Sequence, residues 1–139
     1  TVLGLQTETF EVPSLNILER AFDAMAQSKV QAVIVNAERL FYLGKETIAK
    51  LAIDRMLPTC VWVREVAEAG ALVSYGADQR AIARRVPAYV DRILKGEKPA
   101  DIPVEQPSRF ELVIHAGTAR RLGLRIPPIV LGRSDDVLE

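Results

Sequence analysis

The sequence predicts an α/β fold built on a doubly wound, mostly parallel sheet. Three observations predict it. Apolar stripes at spacings of three and four alternate with short apolar runs along the chain. The run Ala32-Val33-Ile34-Val35 is apolar without alternating, the pattern of a strand covered on both faces. Strand, helix, strand, repeated, implies parallel strands joined by right-handed crossovers. At 139 residues the chain suits one domain, long enough to bury a sizeable core.

Each element has its own signal. Leu5 to Val12 alternates loosely, carries β-branched residues and reads as a strand ended by Pro13 and Ser14. Ser14 is an N-cap candidate, and Leu15, Leu18, Ala21, Phe22 and Met25 form one stripe of a helix ending near Ser28. After the strand Ala32–Val35 comes a loop, Asn36 to Gly44, then an amphipathic helix from Lys45 to Arg55. Pro58 opens the strand run Cys60-Val61-Trp62-Val63, and a short helical turn from Arg64 to Ala69 stops at Gly70. Ala71 to Tyr75 is the next strand, closed by Gly76.

A long helix is expected from Asp78, its cap, to Lys95, with Gly96 just beyond its end. Its stripe is Ile82, Val86, Tyr89, Val90, Ile93 and Leu94, and Pro87 inside it is expected to kink or split it. Lys98 to Pro107, with three prolines, reads as an extended connector. Phe110 to Ile114 is the last strand, Thr118 to Leu122 a short helix, and Pro127-Pro128 begins an irregular tail.

Composition removes several function classes. Hydrophobic residues make up 49% of the chain, and 18 basic residues balance 18 acidic ones. Disorder is excluded by the apolar content, and no basic excess exists to neutralise nucleic-acid phosphates. No apolar run reaches the length of about 18 residues that a membrane span needs. The lone Cys60 excludes an intramolecular disulfide and a multi-cysteine zinc site, and it reads as a core thiol. One histidine, His115, makes most histidine metal sites impossible and reads as a helix cap or strand-end residue. No glycine-rich dinucleotide loop follows the first strand, whose end reads Glu11-Val12-Pro13-Ser14. Neither a phosphate-binding P-loop nor a nucleophile elbow occurs. No catalytic set and no cofactor or metal site is expected, and the chain does not read as an enzyme.

In sheets of this kind the ligand sits beyond the carboxyl ends of the strands. That rule singles out Asn36-Ala37-Glu38, Trp62-Val63-Arg64-Glu65, and Ser74-Tyr75-Gly76-Ala77-Asp78. Trp62 is a stacking surface or a core residue. Arg64 is a planar fork for a ligand carboxylate or a solvated charge. Glu38 accepts from a ligand amine or is merely solvated, and Asn36 is a contact or a turn-former. Tyr75 lines a cleft or packs on a helix. Gly76 is read as needing positive φ or hinge freedom.

Three longer pieces carry a resemblance. They are Glu68-Ala69-Gly70-Ala71-Leu72-Val73-Ser74-Tyr75-Gly76, the stretch Tyr89 to Pro107, and Phe110-Glu111-Leu112-Val113-Ile114 with Thr118-Ala119 and Leu122-Gly123-Leu124. In this order and spacing they resemble the C-terminal part of ABC-transporter solute-binding proteins, in the subfamily with tryptophan- and aromatic amino-acid-binding members. The resemblance runs from about Ala32 onward. It implies one lobe of a type I periplasmic-binding fold, with residues 1–139 supplying the second lobe of a protein twice as long. It implies that residues 71–103 cross to the first lobe, with Pro103 to Pro107 on the return. It implies reversible capture of an amino acid or small organic acid by hinge closure, delivery to a membrane permease, and a periplasmic or membrane-anchored extracytoplasmic location.

The ligand contacts the resemblance implies are Asn36, Ala37, Glu38, Trp62, Arg64, Ser74, Tyr75 and Gly76. The chain opens at Thr1 without a methionine, which reads as a piece of a longer protein. Parted from a first lobe, the stripe Ile82, Val86, Tyr89, Val90 and Ile93 is expected to drive self-association. The alternative is a flavodoxin-like enzyme or sensor lobe in which Arg64, Glu38 and Asp78 bind an anionic ligand; it rests on fold analogy.

Overall fold

The computed structural model describes residues 4–139. Five strands form one sheet: β1 (Val33–Ile34), β2 (Thr59–Val61), β3 (Val73–Ala77), β4 (Phe110–His115) and β5 (Asp136–Leu138). Their order in the sheet follows the sequence. β1, β2 and β3 run parallel, as do β4 and β5, while β3 and β4 are antiparallel. The α/β class and the mostly parallel sheet are those the sequence predicts.

The helices are α1 (Leu18–Gln27), α2 (Arg39–Leu43), α3 (Lys45–Asp54), α4 (Arg64–Glu68), α5 (Gln79–Leu94), α6 (Ala116–Arg121) and α7 (Pro128–Leu131). The stripe of α1 buries Leu18, Phe22 and Met25 against Ile48, Leu51 and Ala52 of α3, with Val33 and Leu57. A second cluster gathers Val61, Val63, Val66 and Ala71 where α4 meets the sheet, and a third joins Leu72 to Ala119 and Leu122 of α6. Buried hydroxyls tie the clusters to backbone. The amide of Leu72 donates to Thr59 Oγ1 at 3.2 Å, and Thr118 Oγ1 donates to the Gly70 carbonyl at 2.9 Å. Left unpaired, each of these buried groups would cost the fold about 1–3 kcal/mol.

Six expectations need correction. β1 is not covered on both faces, since Ile34 is 78% exposed. Leu5 to Val12 forms no strand; β1 pairs only with β2, so the alternating segment finds no ladder and instead lays Phe10 and Val12 on the core. Ser14 precedes a 3-10 turn, Leu15–Ile17, and its hydroxyl turns to Asn16 rather than to a first-turn amide. The loop Asn36–Gly44 contains α2, and the tail contains α7 and β5. Pro87 does not split α5, which runs unbroken from Gln79 to Leu94. The amide it lacks would have reached the carbonyl of Ala83, which is exposed and open to water.

The excursion between β3 and β4 stands apart from the core. No residue of α5 is buried. The connector folds back along it, Glu105 meeting Arg85, and its prolines Pro99 and Pro103 line a groove with Tyr89 and Ile93. Part of the stripe is therefore covered by the chain itself, while Leu94 is 82% exposed and Val86 and Val90 remain open.

Helix ends show a repeated device. After α3, the amide of Met56 donates to Ile53 and that of Leu57 to Ala52, the double closure of a Schellman motif. Its left-handed residue is Met56, at φ 55°, where α5 and α6 use Gly96 and Gly123. A side chain in that region costs roughly 1–2 kcal/mol, and glycine's entropy cost is smaller. Met56→Gly should therefore raise stability by roughly 0.5–1 kcal/mol in urea denaturation.

Candidate functional site

Because β1, β2 and β3 are parallel, the segments that follow them leave the same edge of the sheet. Asn36, Ala37 and Glu38 lie exposed between β1 and α2, with Glu38 as the residue before the helix. Trp62 follows β2 and is half-buried, packed with Val35 on the cluster of Val61, Val63, Val66 and Ala71. Its core reading holds in part: the indole packs on that cluster and is left partly exposed.

Strand alternation separates the residues of β3. Ser74 pairs with Val61 and Val113 and is 2% exposed, inside the core. Tyr75 points to the opposite face, is 60% exposed, and stacks on Phe110 with ring centroids 5.8 Å apart. Ser74 and Tyr75 therefore cannot contact one ligand from one face. Ser74, expected among the contacts, supports the edge from behind.

Gly76 has no positive φ, contrary to expectation. Its reason is proximity: a Cβ there would stand 1.9 Å from the carbonyl oxygen of Trp62 and 2.8 Å from its carbonyl carbon. The turn after β2 thus rests on the bare backbone of β3. Only glycine permits this approach.

Arg64 is the main correction at the site. Its side chain is 14% exposed and grips the chain's own carboxylates rather than projecting as a free fork. Nε and Nη2 donate to Glu111 Oε1 at 3.1 and 2.8 Å, and Nη1 donates to Asp136 Oδ2 at 2.8 Å. These partners hold the guanidinium charged far above the ordinary range, and Arg64, followed by the amide of Val137, holds the Asp136 carboxyl below its own. Asp78 is likewise committed. It accepts from the Ala81 amide at 2.9 Å as the cap of α5 and faces Arg109, and the Ala81 bond is the first cause of its lowered pKa. Two of the three groups assigned to anion binding in the alternative reading are therefore engaged internally.

Sequence reasoning missed Glu111, Asp136 and Phe110 as parts of this region. The signal for Glu111 was available: it is the one charge in the strand Phe-Glu-Leu-Val-Ile and shares a face with Val113. His115 behaves as expected, capping α6 by accepting from the Thr118 amide on Nδ1 at 3.2 Å. Burial first, then Arg120 and Arg121, lowers its pKa. Cys60 is half-buried and its thiol is pushed up by desolvation, as an unreactive cysteine should be.

Two open recesses lie elsewhere. One recess of about 320 Å³ sits between α3 and α6, lined by Lys50, His115 and Arg121 at the opposite edge of the sheet. The other, about 350 Å³, is the groove between α5 and its connector. The loop Asn36–Glu38 and Tyr75 at the edge formed by the three segments are exposed.

The geometry is thus an α/β domain that gathers three loops at one strand edge, with Arg64 beside them bound to the chain's own carboxylates. The family model for ABC transporter substrate binding proteins matches residues 2–138, and the chain belongs to that family. Among solved structures it is similar to the ABC domain from Streptococcus pneumonia in complex with L-Trp: TM-score 0.89, 32% identity, covering 99% of this chain and 46% of that one. It is similar to a conserved domain protein from Vibrio cholerae at TM-score 0.89 and 24% identity, covering 98% of this chain and 46% of that one. The fold also matches a ligand-free, open substrate-binding protein with adhesive properties from Clostridium difficile: TM-score 0.71, 17% identity, covering 98% of this chain and 45% of that one. The chain thus spans under half the length of these structures. No curated protein sequence matches it.

Two outcomes test this geometry. Gly76→Ala drives a methyl into a backbone carbonyl and should cost about 3 kcal/mol or more, seen as a lowered urea midpoint. For pH, the lowered pKa of Asp136 means its contribution is fully present above the unfolded value near 3.8 and is lost as pH falls through the folded value. The melting temperature should therefore fall below about pH 4, and Asp136→Asn should flatten that slope.

Proposed function

We propose that this chain is the second lobe of a two-lobed solute-binding protein that captures a small molecule reversibly and delivers it to the permease of an ABC importer. The observation that carries the reading is the convergence of three loops at one sheet edge in a chain of the substrate-binding family. An open edge with half-buried Trp62 and exposed Tyr75 offers apolar contact, and Asn36 and Glu38 offer polar groups to orient a solute. In this reading Asn36, Ala37, Glu38, Trp62 and Tyr75 face the solute. Gly76, Ser74 and Arg64 hold them in place. No bond is made or broken.

Of residues 71–103, those from Ala71 to Ala77 belong to this sheet as β3 and its approach, and the excursion that follows Ala77 is the crossing to the first lobe. The antiparallel β3–β4 pair supports this: the chain leaves after Ala77 and returns at Phe110, partners on the last rung. Hinge closure then occurs where these two connections meet the sheet. Such a protein works outside the cytoplasm, in the periplasm or anchored to the membrane. The solute is an amino acid or small organic acid, and L-tryptophan is the first probe because the Streptococcus relative is in complex with it.

Thermal shift of the full-length gene product against the amino acids and small carboxylic acids tests the reading. A solute at about 100 times its Kd should add about 2.7 kcal/mol of stability. No shift with any member of the panel contradicts it. The chain of residues 1–139 alone should self-associate through the open side of α5. Light scattering should report a dimer or larger, and Val86→Glu with Val90→Glu should return the monomer.

A further inference from the structure

We propose that Arg64 is a positioning residue that couples the solute-facing turn at Trp62 to the two strands of the hinge; this rests on the solute-binding reading above. Four observations lie on one line across the sheet. The Trp62 carbonyl rests on Gly76 of β3. Gly76 is paired with Glu111 of β4. Glu111 takes two donors of Arg64, from Nε and Nη2. The other arm of Arg64 continues to Asp136 of β5.

The next rung, Ala77 with Phe110, is the last before the chain departs for α5 and the first after it returns. The clamp therefore holds the strand pair one residue from the point where it leaves the sheet. A displacement of the turn at Trp62 is passed to β3 by steric contact and to β4 by a rigid, two-pronged ion pair. Lysine could supply the charge but not the fork. A guanidinium at 14% exposure with three carboxylates around it, Glu111, Asp136 and, at 3.6 Å, Glu68, is held in one geometry more firmly than a lone surface pair.

The experiment uses the full-length two-lobed protein with L-tryptophan as the probe and a spin label on each lobe. Arg64→Lys should stay folded, bind L-tryptophan about tenfold more weakly, and give a broader lobe-to-lobe distance distribution without ligand. Glu111→Gln, which removes one strut and leaves Asp136, should shift both readouts in the same direction; it decides the matter if Arg64→Lys does not fold. A folded variant with wild-type affinity and an unchanged distance distribution overturns the assignment. If the wild type binds neither L-tryptophan nor any other member of the panel, the solute reading fails. The ligand-free distance distributions still decide whether Arg64 governs the hinge: broadening supports it and identity with wild type overturns it.

Discussion

The close approach of the turn after β2 to the backbone of β3 at Gly76 is the constraint on which the rest of this domain depends. A carbonyl oxygen standing where a Cβ would be leaves no room for any side chain. Once the turn is seated there, Trp62 is held half in the core and half at the edge. Arg64, two residues on, reaches across β3 to Glu111 and Asp136. The parallel order of β1, β2 and β3 then brings the other two loops to the same edge. Local backbone contact, a committed ion cluster and sheet topology thus act on one strip of surface.

The energetic character of that strip follows. A buried ion pair in general returns little net stability, because desolvation of both partners offsets their attraction. What the Arg64 cluster provides is geometry: two carboxylates and one planar cation fix the relative height of β4, β5 and the turn. Open aromatic surface on the opposite face of the sheet, Tyr75 stacked on Phe110, keeps apolar area available at the edge. The core beneath packs around Val66 and Val113, both fully buried. Rigid support below and open contact above is the arrangement a binding wall needs.

Much of the fold was legible because its elements are periodic. The stripe of α1 and the cap at Asp78 appear where the patterns put them, and the run at Val33 does form β1, but that strand is covered on one face only, Ile34 being 78% exposed. The segment Leu5 to Val12 misled because alternation shows that a strand could form, while a ladder also needs a neighbour, and β1 has one only on its β2 side. Pro87 misled because the cost of a missing amide depends on whether its carbonyl partner can reach water. At the site, the sequence located the three loops by the carboxyl-end rule but could not say which way side chains point. Ser74 and Tyr75 are adjacent in sequence and opposite in space. Arg64 looked available because its partners, Glu111 and Asp136, are 47 and 72 residues away.

The central claim is that the three loops after β1, β2 and β3 form one wall of a solute cleft. A crystal structure of the full-length protein grown with L-tryptophan tests it most directly. The account predicts solute density against Trp62, Tyr75 and the loop Asn36 to Glu38, with Arg64 still on Glu111 and Asp136 behind them. Solute seated instead in the recess between α3 and α6, against Lys50, His115 and Arg121, would contradict it.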